Sequence, residues 1–142
     1  MDDRKIALLE TTFAEVKASQ DASAALFYER LFVNDPSLRR LFTASDMAAQ
    51  GRKLMAALAL AVGSLRRLDT LVPVLEGLAV KHVTYGVEQG HYETVGTSLI
   101  ETLSLAFGER FTDEVRAAWT ETYQLVAGVM MHAAYERQAV PA

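Results

Sequence analysis

The 142-residue chain has three histidines and no cysteine, and one of the histidines stands apart. His82 closes a stripe of Leu71, Leu75, Leu78 and Ala79, because residues three and four apart share a helical face. Gly86 follows within a turn, at a spacing suited to ending that helix. An imidazole at the end of an apolar face needs a partner for each ring nitrogen. Two readings follow: a core histidine bonded to backbone, or a metal ligand facing an apolar cavity. His91 at a helix start and His132 near the C-terminus lack such a stripe, and both are expected at the solvated surface.

Three other side chains bear on that choice. Tyr28 lies mid-helix beside an apolar face, and its hydroxyl needs a partner if buried. Phe42 ends a short helix before a loop. Gln50 falls on an inward face, where a buried amide must be bonded. Each alone is compatible with ordinary packing. With His82 they form an ordered set of tyrosine, phenylalanine, glutamine and histidine.

The elements that must position them are helices. Ile6, Leu9, Phe13 and Val16 recur at helical spacing after Asp2 and Asp3, predicting a helix over residues 4–18. Ser19 to Ser23 reads as a cap-rich break. The next helix carries Leu26, Phe27, Tyr28, Leu31 and Phe32 and stops at Asn34-Asp35-Pro36, where Asp35 caps a short helix ending near Phe42. Ser45 and Asp46 open a helix to about Arg67, with Met47, Gln50, Leu54, Ala57, Leu58, Ala61 and Leu65 facing inward. The His82 helix follows, with Pro73 in its first turn. After a turn at Glu88 to Gly90, a helix carries Tyr92, Val95, Leu99, Ile100, Leu103 and Phe107 and closes at Gly108. A last one, capped by Thr112, runs through Val115, Trp119, Tyr123, Val126 and Met130 towards Tyr135. No period-two alternation appears. The expected fold is all-α, about seven helices in one domain over residues 1–142.

Composition narrows the chemistry further. The chain is 51% hydrophobic and 23% charged, ordinary for a water-soluble domain. A net charge of −4 argues against a nucleic-acid footprint. Without cysteine there are no disulfides, thiolate zinc sites, iron–sulfur clusters or thiolate-ligated haem. No run reaches the roughly 18 apolar residues of a membrane span, and MDDRKIALLE does not read as a signal peptide, so a cytoplasmic location is expected.

The stretches LFYERLFVNDPSLRRLF, QGRKLMAAL, KHVTYGV, HYETVG and AAWTETY, in this order and spacing, resemble a globin. The resemblance is to the haem domain of bacterial flavohaemoglobins and their single-domain relatives, and it covers nearly all of residues 4–137. It implies a three-on-three globin fold around haem b (iron protoporphyrin IX), with His82 as the proximal iron ligand. Phe42 matches the phenylalanine on the haem face, Gln50 and Tyr28 the distal pair, and Leu54 the apolar residue over the iron. Lys53 falls where a cation can reach a haem propionate; Leu78, Tyr85, Val87, Tyr92 and Val95 complete the implied haem contacts.

The resemblance implies reversible binding of oxygen, nitric oxide and carbon monoxide at ferrous iron, with Tyr28 and Gln50 stabilising the ligand. Nitric oxide dioxygenase activity with a separate reductase is the alternative, and a gas sensor the third. One departure stands out. Flavohaemoglobins place a tyrosine and a glutamate behind the proximal histidine. Tyr92 matches the tyrosine, but Ala134 stands where the glutamate is expected. Glu136 is two places on, roughly 200° around the helix, and is a poor substitute.

Overall fold

The computed structural model describes residues 1–43 and 46–136. Helix α1 spans Asp3–Ala18, and the Asp2 carboxylate caps it by accepting from the Lys5 amide at 2.9 Å. Ile6, Leu9, Phe13 and Val16 are buried, as their spacing predicts. The break after α1 is narrower than expected. Ser19 alone leaves helical geometry, and α2 (Gln20–Asn34) begins at once. Ser23 is not a loop residue; it sits buried inside α2 with its amide bonded to the Ser19 carbonyl.

Pro36 disfavours helical geometry at the residue before it. Asp35 is accordingly extended (φ −148°, ψ 91°), ends α2, and accepts from the Ser37 amide to start a 3₁₀ helix, Pro36–Phe42. Helix α3 spans Met47–Gly63, capped by Asp46 on the Ala48 and Ala49 amides. Ser45, expected to share that start, lies outside the described residues.

Two expectations for α3 need correction. It stops at Gly63 rather than near Arg67, which instead precedes the next helix in a non-helical conformation. Its buried stripe is also rotated. Met47 (36% exposed) and Ala57 are exposed, while Gly51, Met55 and Val62 are buried. The cause is close approach to α2, since a Cβ at Gly51 would sit 2.9 Å from that of Ala24. Ala61 and Leu65 are buried as expected, but Gln50, Leu54 and Leu58 are left half-buried.

Helix α4 spans Leu68–Thr84 and starts earlier than the apolar pattern suggested. Pro73 is therefore its sixth residue, past the first turn, and lies exposed. The C-terminal end is a Schellman motif: Val87 N–H donates to the His82 carbonyl at 3.1 Å and Gly86 N–H to Val83 at 3.0 Å. Gly86 has φ +92°, which glycine adopts without a Cβ penalty. Helices α5 (His91–Phe107) and α6 (Asp113–Met131) follow, the first closed by Gly108 and the second capped by Thr112. A π-helical turn, His132–Glu136, continues α6.

Among the described residues there is no strand. The helices pack three-on-three, with α2 against α3 and α5, and α1 against α3 and α6. Helix α4 is different, packing chiefly against α6 and the π turn. The apolar interior is accordingly divided. A large cluster joins α1, α2, α3, α5 and the start of α6, around buried Trp119, whose indole N–H donates to Thr12 Oγ1 at 2.9 Å. A smaller cluster holds Leu71, Leu75 and Ala79 against Tyr92, Ala127, Met130, Ala133 and Ala134. Half-buried apolar side chains edge both: Tyr28, Phe42, Leu54 and Val95 on the large cluster, Leu78 and Val87 on the small one. No helix among the described residues is long and apolar enough to cross a membrane.

Candidate functional site

His82 is half-buried in the last turn of α4. Its Nδ1 lies 2.7 Å from the Leu78 carbonyl, one turn back. A carbonyl can only accept, so Nδ1 carries the proton and the neutral ring keeps a lone pair on Nε2. The backbone-bonded reading of this histidine holds at Nδ1. That bond fixes the ring in the last turn of α4. Leu78 was expected only as an apolar contact; its carbonyl, which orients the ring, is a role the sequence reading missed. The signal was there in the spacing, since residue i−4 always offers a carbonyl to a side chain on the same face. The Tyr85 ring sits 6.3 Å from the imidazole, tilted by 52°, and is 63% exposed.

Across the seam between the two apolar clusters, Tyr28 is enclosed by rings. Phe27 and Phe42 meet it edge-on, at 5.1 and 5.6 Å, and Phe32 stacks at 6.2 Å. Its hydroxyl donates to the Gln50 backbone carbonyl at 3.4 Å, a long and weak bond. Burial pushes the phenol up from 10 to about 12, so it remains a donor at neutral pH. Gln50 follows the α3 cap and is half-buried, its amide N–H bonded to Asp46. Tyr28, Phe42 and Gln50 are thus gathered together, and Leu54 packs on the same large cluster. Lys53 is exposed.

The two walls approach at one end. Leu41 Cδ2 would be 3.3 Å from a Cβ at Gly86, so the 3₁₀ helix lies against the end of α4.

Behind α4, Tyr92 is buried, yet its hydroxyl has no hydrogen-bond partner among the described residues. Burial raises that phenol to about 12 as well. Its backbone carbonyl accepts from the Tyr123 hydroxyl, and its ring meets Tyr135 edge-on at 6.3 Å. The Tyr135 hydroxyl donates to the Val87 carbonyl at 2.7 Å. Ala134, 3% exposed, fills the space beside Tyr92 with a methyl group and offers no acceptor. The Glu136 side chain lies outside the described residues.

His91 corrects an expectation. It is not solvated but 9% exposed, and its Nδ1 accepts from the Glu88 amide at 3.0 Å. Its Nε2 is 3.4 Å from the Glu88 carboxylate. The ring folds back over the turn before α5 and supplies that turn with an acceptor. His132 is exposed, as expected.

Could this site hold a metal? Among the described residues no three His, Asp or Glu side chains come together to cage one. His82 is one imidazole, fixed at Nδ1, on a helix whose end lies against Leu41 beside the aromatic wall. The donor set fits the iron of a porphyrin with one axial protein ligand.

An all-α fold of this topology defines a class of protein, and comparison with known proteins agrees. The family model described as globin matches residues 25–130, and the chain belongs to the globin family. It is 33% identical over 127 residues to a flavohemoprotein of Bordetella parapertussis, a match covering 88% of this chain and 32% of that protein. A flavohemoprotein of Vibrio cholerae is 30% identical over 128 residues, covering 89% and 32% respectively. The chain therefore spans about a third of the length of these relatives. Among solved structures, a bacterial globin from Campylobacter jejuni superposes with a TM-score of 0.86 at 18% identity, covering 98% of this chain and all of that one.

Proposed function

We propose that residues 1–142 form one globin domain that holds haem b between the two apolar clusters and reversibly binds oxygen and other diatomic gases. The observation that carries this is the His82 geometry: Nδ1 fixed on the Leu78 carbonyl, Nε2 free at the edge of the seam. When bound, the ferrous haem supplies the coordination position for the gas. His82 would hold the iron through Nε2, with the Leu78 carbonyl orienting the ring through Nδ1. Phe42, Leu54, Leu78, Val87 and Val95 supply apolar walls that exclude water. Tyr85, Tyr92 and Lys53 are assigned as further contacts, Lys53 towards a propionate. The Tyr28 hydroxyl leaves its weak bond to Gln50 and donates to a partly negative ligand. Gln50 adds an amide donor and has no basic nitrogen with which to close the site itself.

The second reading is nitric oxide dioxygenase activity with electrons from a separate reductase, favoured by the Tyr28 and Gln50 pair. The proximal side argues for carriage instead. A carboxylate behind His82 would draw the Nδ1 proton and make the ring more electron-donating, whereas a backbone carbonyl leaves it neutral. Ala134 supplies no carboxylate. A gas-sensing role is the third reading, and a cytoplasmic location goes with all three. The test is nitric oxide consumption by the ferrous oxygenated protein with a reductase supplied. The carrier reading expects one stoichiometric oxidation; fast sustained turnover overturns it in favour of the enzyme. A Soret band in the purified protein excludes a cofactor-free helical module.

A further inference from the structure

Helices α5 and α6 enclose an open groove of about 730 Å³, lined only by their own residues and by the turn before α5. Its floor is largely apolar, with Tyr92, Ile100, Tyr123, Ala127 and Met131. Gly96 lets the two helices meet there, since a Cβ would lie 2.6 Å from the Tyr123 ring. The Tyr123 hydroxyl is bonded to the Tyr92 carbonyl, and the Tyr92 hydroxyl is itself buried. The two phenols therefore offer a small polar ligand nothing to orient it.

Three charged side chains line the same groove: Glu93, Glu101 and Arg116. Glu101 accepts from Asn34 at 2.6 Å and lies 3.5 Å from Arg30 Nε. Glu93 and Arg116 are exposed and make no ion pair with a described residue. Arg116 lies over the Phe111 ring, 4.9 Å from its centre. The helices run antiparallel, joined by the 3₁₀ turn Gly108–Arg110 and touching at Gly96 and Tyr123. Glu93 precedes Gly96 and Arg116 precedes Tyr123, so the two free charges stand at opposite ends. At 1.5 Å per residue they are about 15 Å apart along the groove.

We infer that this groove is where a second copy of this chain docks. A two-fold axis lying across the groove turns it end for end. Glu93 of each copy then meets Arg116 of the other, the pairing is made twice, and the two apolar floors cover one another. An axis along the groove would set Glu93 on Glu93 and Arg116 on Arg116, which like-charge repulsion opposes. A partner carrying one sign of charge would likewise meet its own sign at one end. One free acid and one free base at opposite ends are what self-pairing needs.

The test is sedimentation equilibrium of the full chain as purified, from about 1 to 500 µM, where a dimer shows as a concentration-dependent mass. Glu93→Arg and Arg116→Glu each set like charges together twice, and each should weaken dimerisation about tenfold or more. The exchange Glu93→Arg/Arg116→Glu should restore it to within about threefold, because the pairs re-form with their signs reversed. Lys17→Glu, a charge reversal on the exposed side of α1, should stay within about twofold. A monomer at every concentration overturns the inference, whether the groove stays open or residues 137–142 cover it. So does a dimer that neither single change weakens, or one that the exchange fails to restore.

Discussion

Tyr28 and His82 sit on walls built in different ways. Tyr28 is gripped by Phe27, Phe32 and Phe42, on helices that pack closely through Gly51 and Ala24. Its wall belongs to the large cluster and does not depend on anything entering the seam. His82 stands on a helix held chiefly from behind, by α6 and the π turn, and one backbone carbonyl sets its ring. The difference separates two tasks. On the haem reading proposed above, the rigid wall would set what a bound ligand meets, and the lightly held wall whether the cofactor stays.

The largest break in that comparison comes from His82→Ala. On the haem reading it removes the nitrogen that would hold the iron, so tight haem binding and the normal axial-ligand spectrum should be lost. His132→Ala should leave both intact. His91→Ala should also keep the spectrum while lowering stability by about 1 kcal/mol, because the Glu88 amide loses its acceptor. An unchanged ferrous spectrum and haem affinity in His82→Ala would put the ligand elsewhere.

Tyr28→Phe tests the rigid wall. The ring stays, and the lost bond to Gln50 is long, so folding should be little affected. A hydrogen bond to a charged acceptor is worth about 1.5–3 kcal/mol, and each 1.4 kcal/mol is tenfold, so oxygen should dissociate roughly ten times faster or more. Carbon monoxide carries less negative charge and should respond much less. Gln50→Leu should act in the same direction, non-additively with Tyr28→Phe. Equal responses of the two gases in stopped-flow displacement would mean that Tyr28 acts by bulk alone.

The smallest effect is set by alkaline pH. Burial raises Tyr28 and Tyr92 from 10 to about 12. Unfolded tyrosines ionise near 10, whereas these two hold their protons to about 12 in the folded chain. Between those values the unfolded state binds fewer protons, so stability falls as pH rises; below 10 the contribution is fully present. Thermal melts from pH 9 to 12 should show that fall, shallower in Tyr28→Phe. Identical slopes would mean that Tyr28 is wetter than its ring contacts indicate.

What could be read from the sequence was what repeats or caps. Asp2, Asp35, Asp46 and Thr112 each cap the element their position suggested, and Gly86 and Gly108 end theirs. The His82 stripe is buried at Leu71, Leu75 and Ala79. The misreadings arose where a neighbouring helix decides. Nothing local says that Gly51 admits Ala24, so the inner stripe of α3 was placed one position away. Ser19 and Ser23 look like a loop until the packing of α1 on α2 keeps the second helix running. Histidine at the start of α5 suggests solvent, but its partner is an amide three residues back, which composition cannot show. The gathering of Tyr28, Phe42, Gln50 and Leu54 depended on family resemblance, because side chains on three elements share no local pattern.

The placement of α4 also bears on how the molecule breathes. An element that leans on only one side of a protein opens at lower free energy than the rest. Amide hydrogens of Leu75 to Val83 should exchange with deuterated water well before those of Leu99 to Leu103 in α5, whose side chains sit in the large cluster. Haem, bridging both clusters, should slow the first set far more than the second. On the haem reading, the His82 helix would be the door through which the cofactor enters, bounded by the Gly86 turn and the Tyr135–Val87 bond.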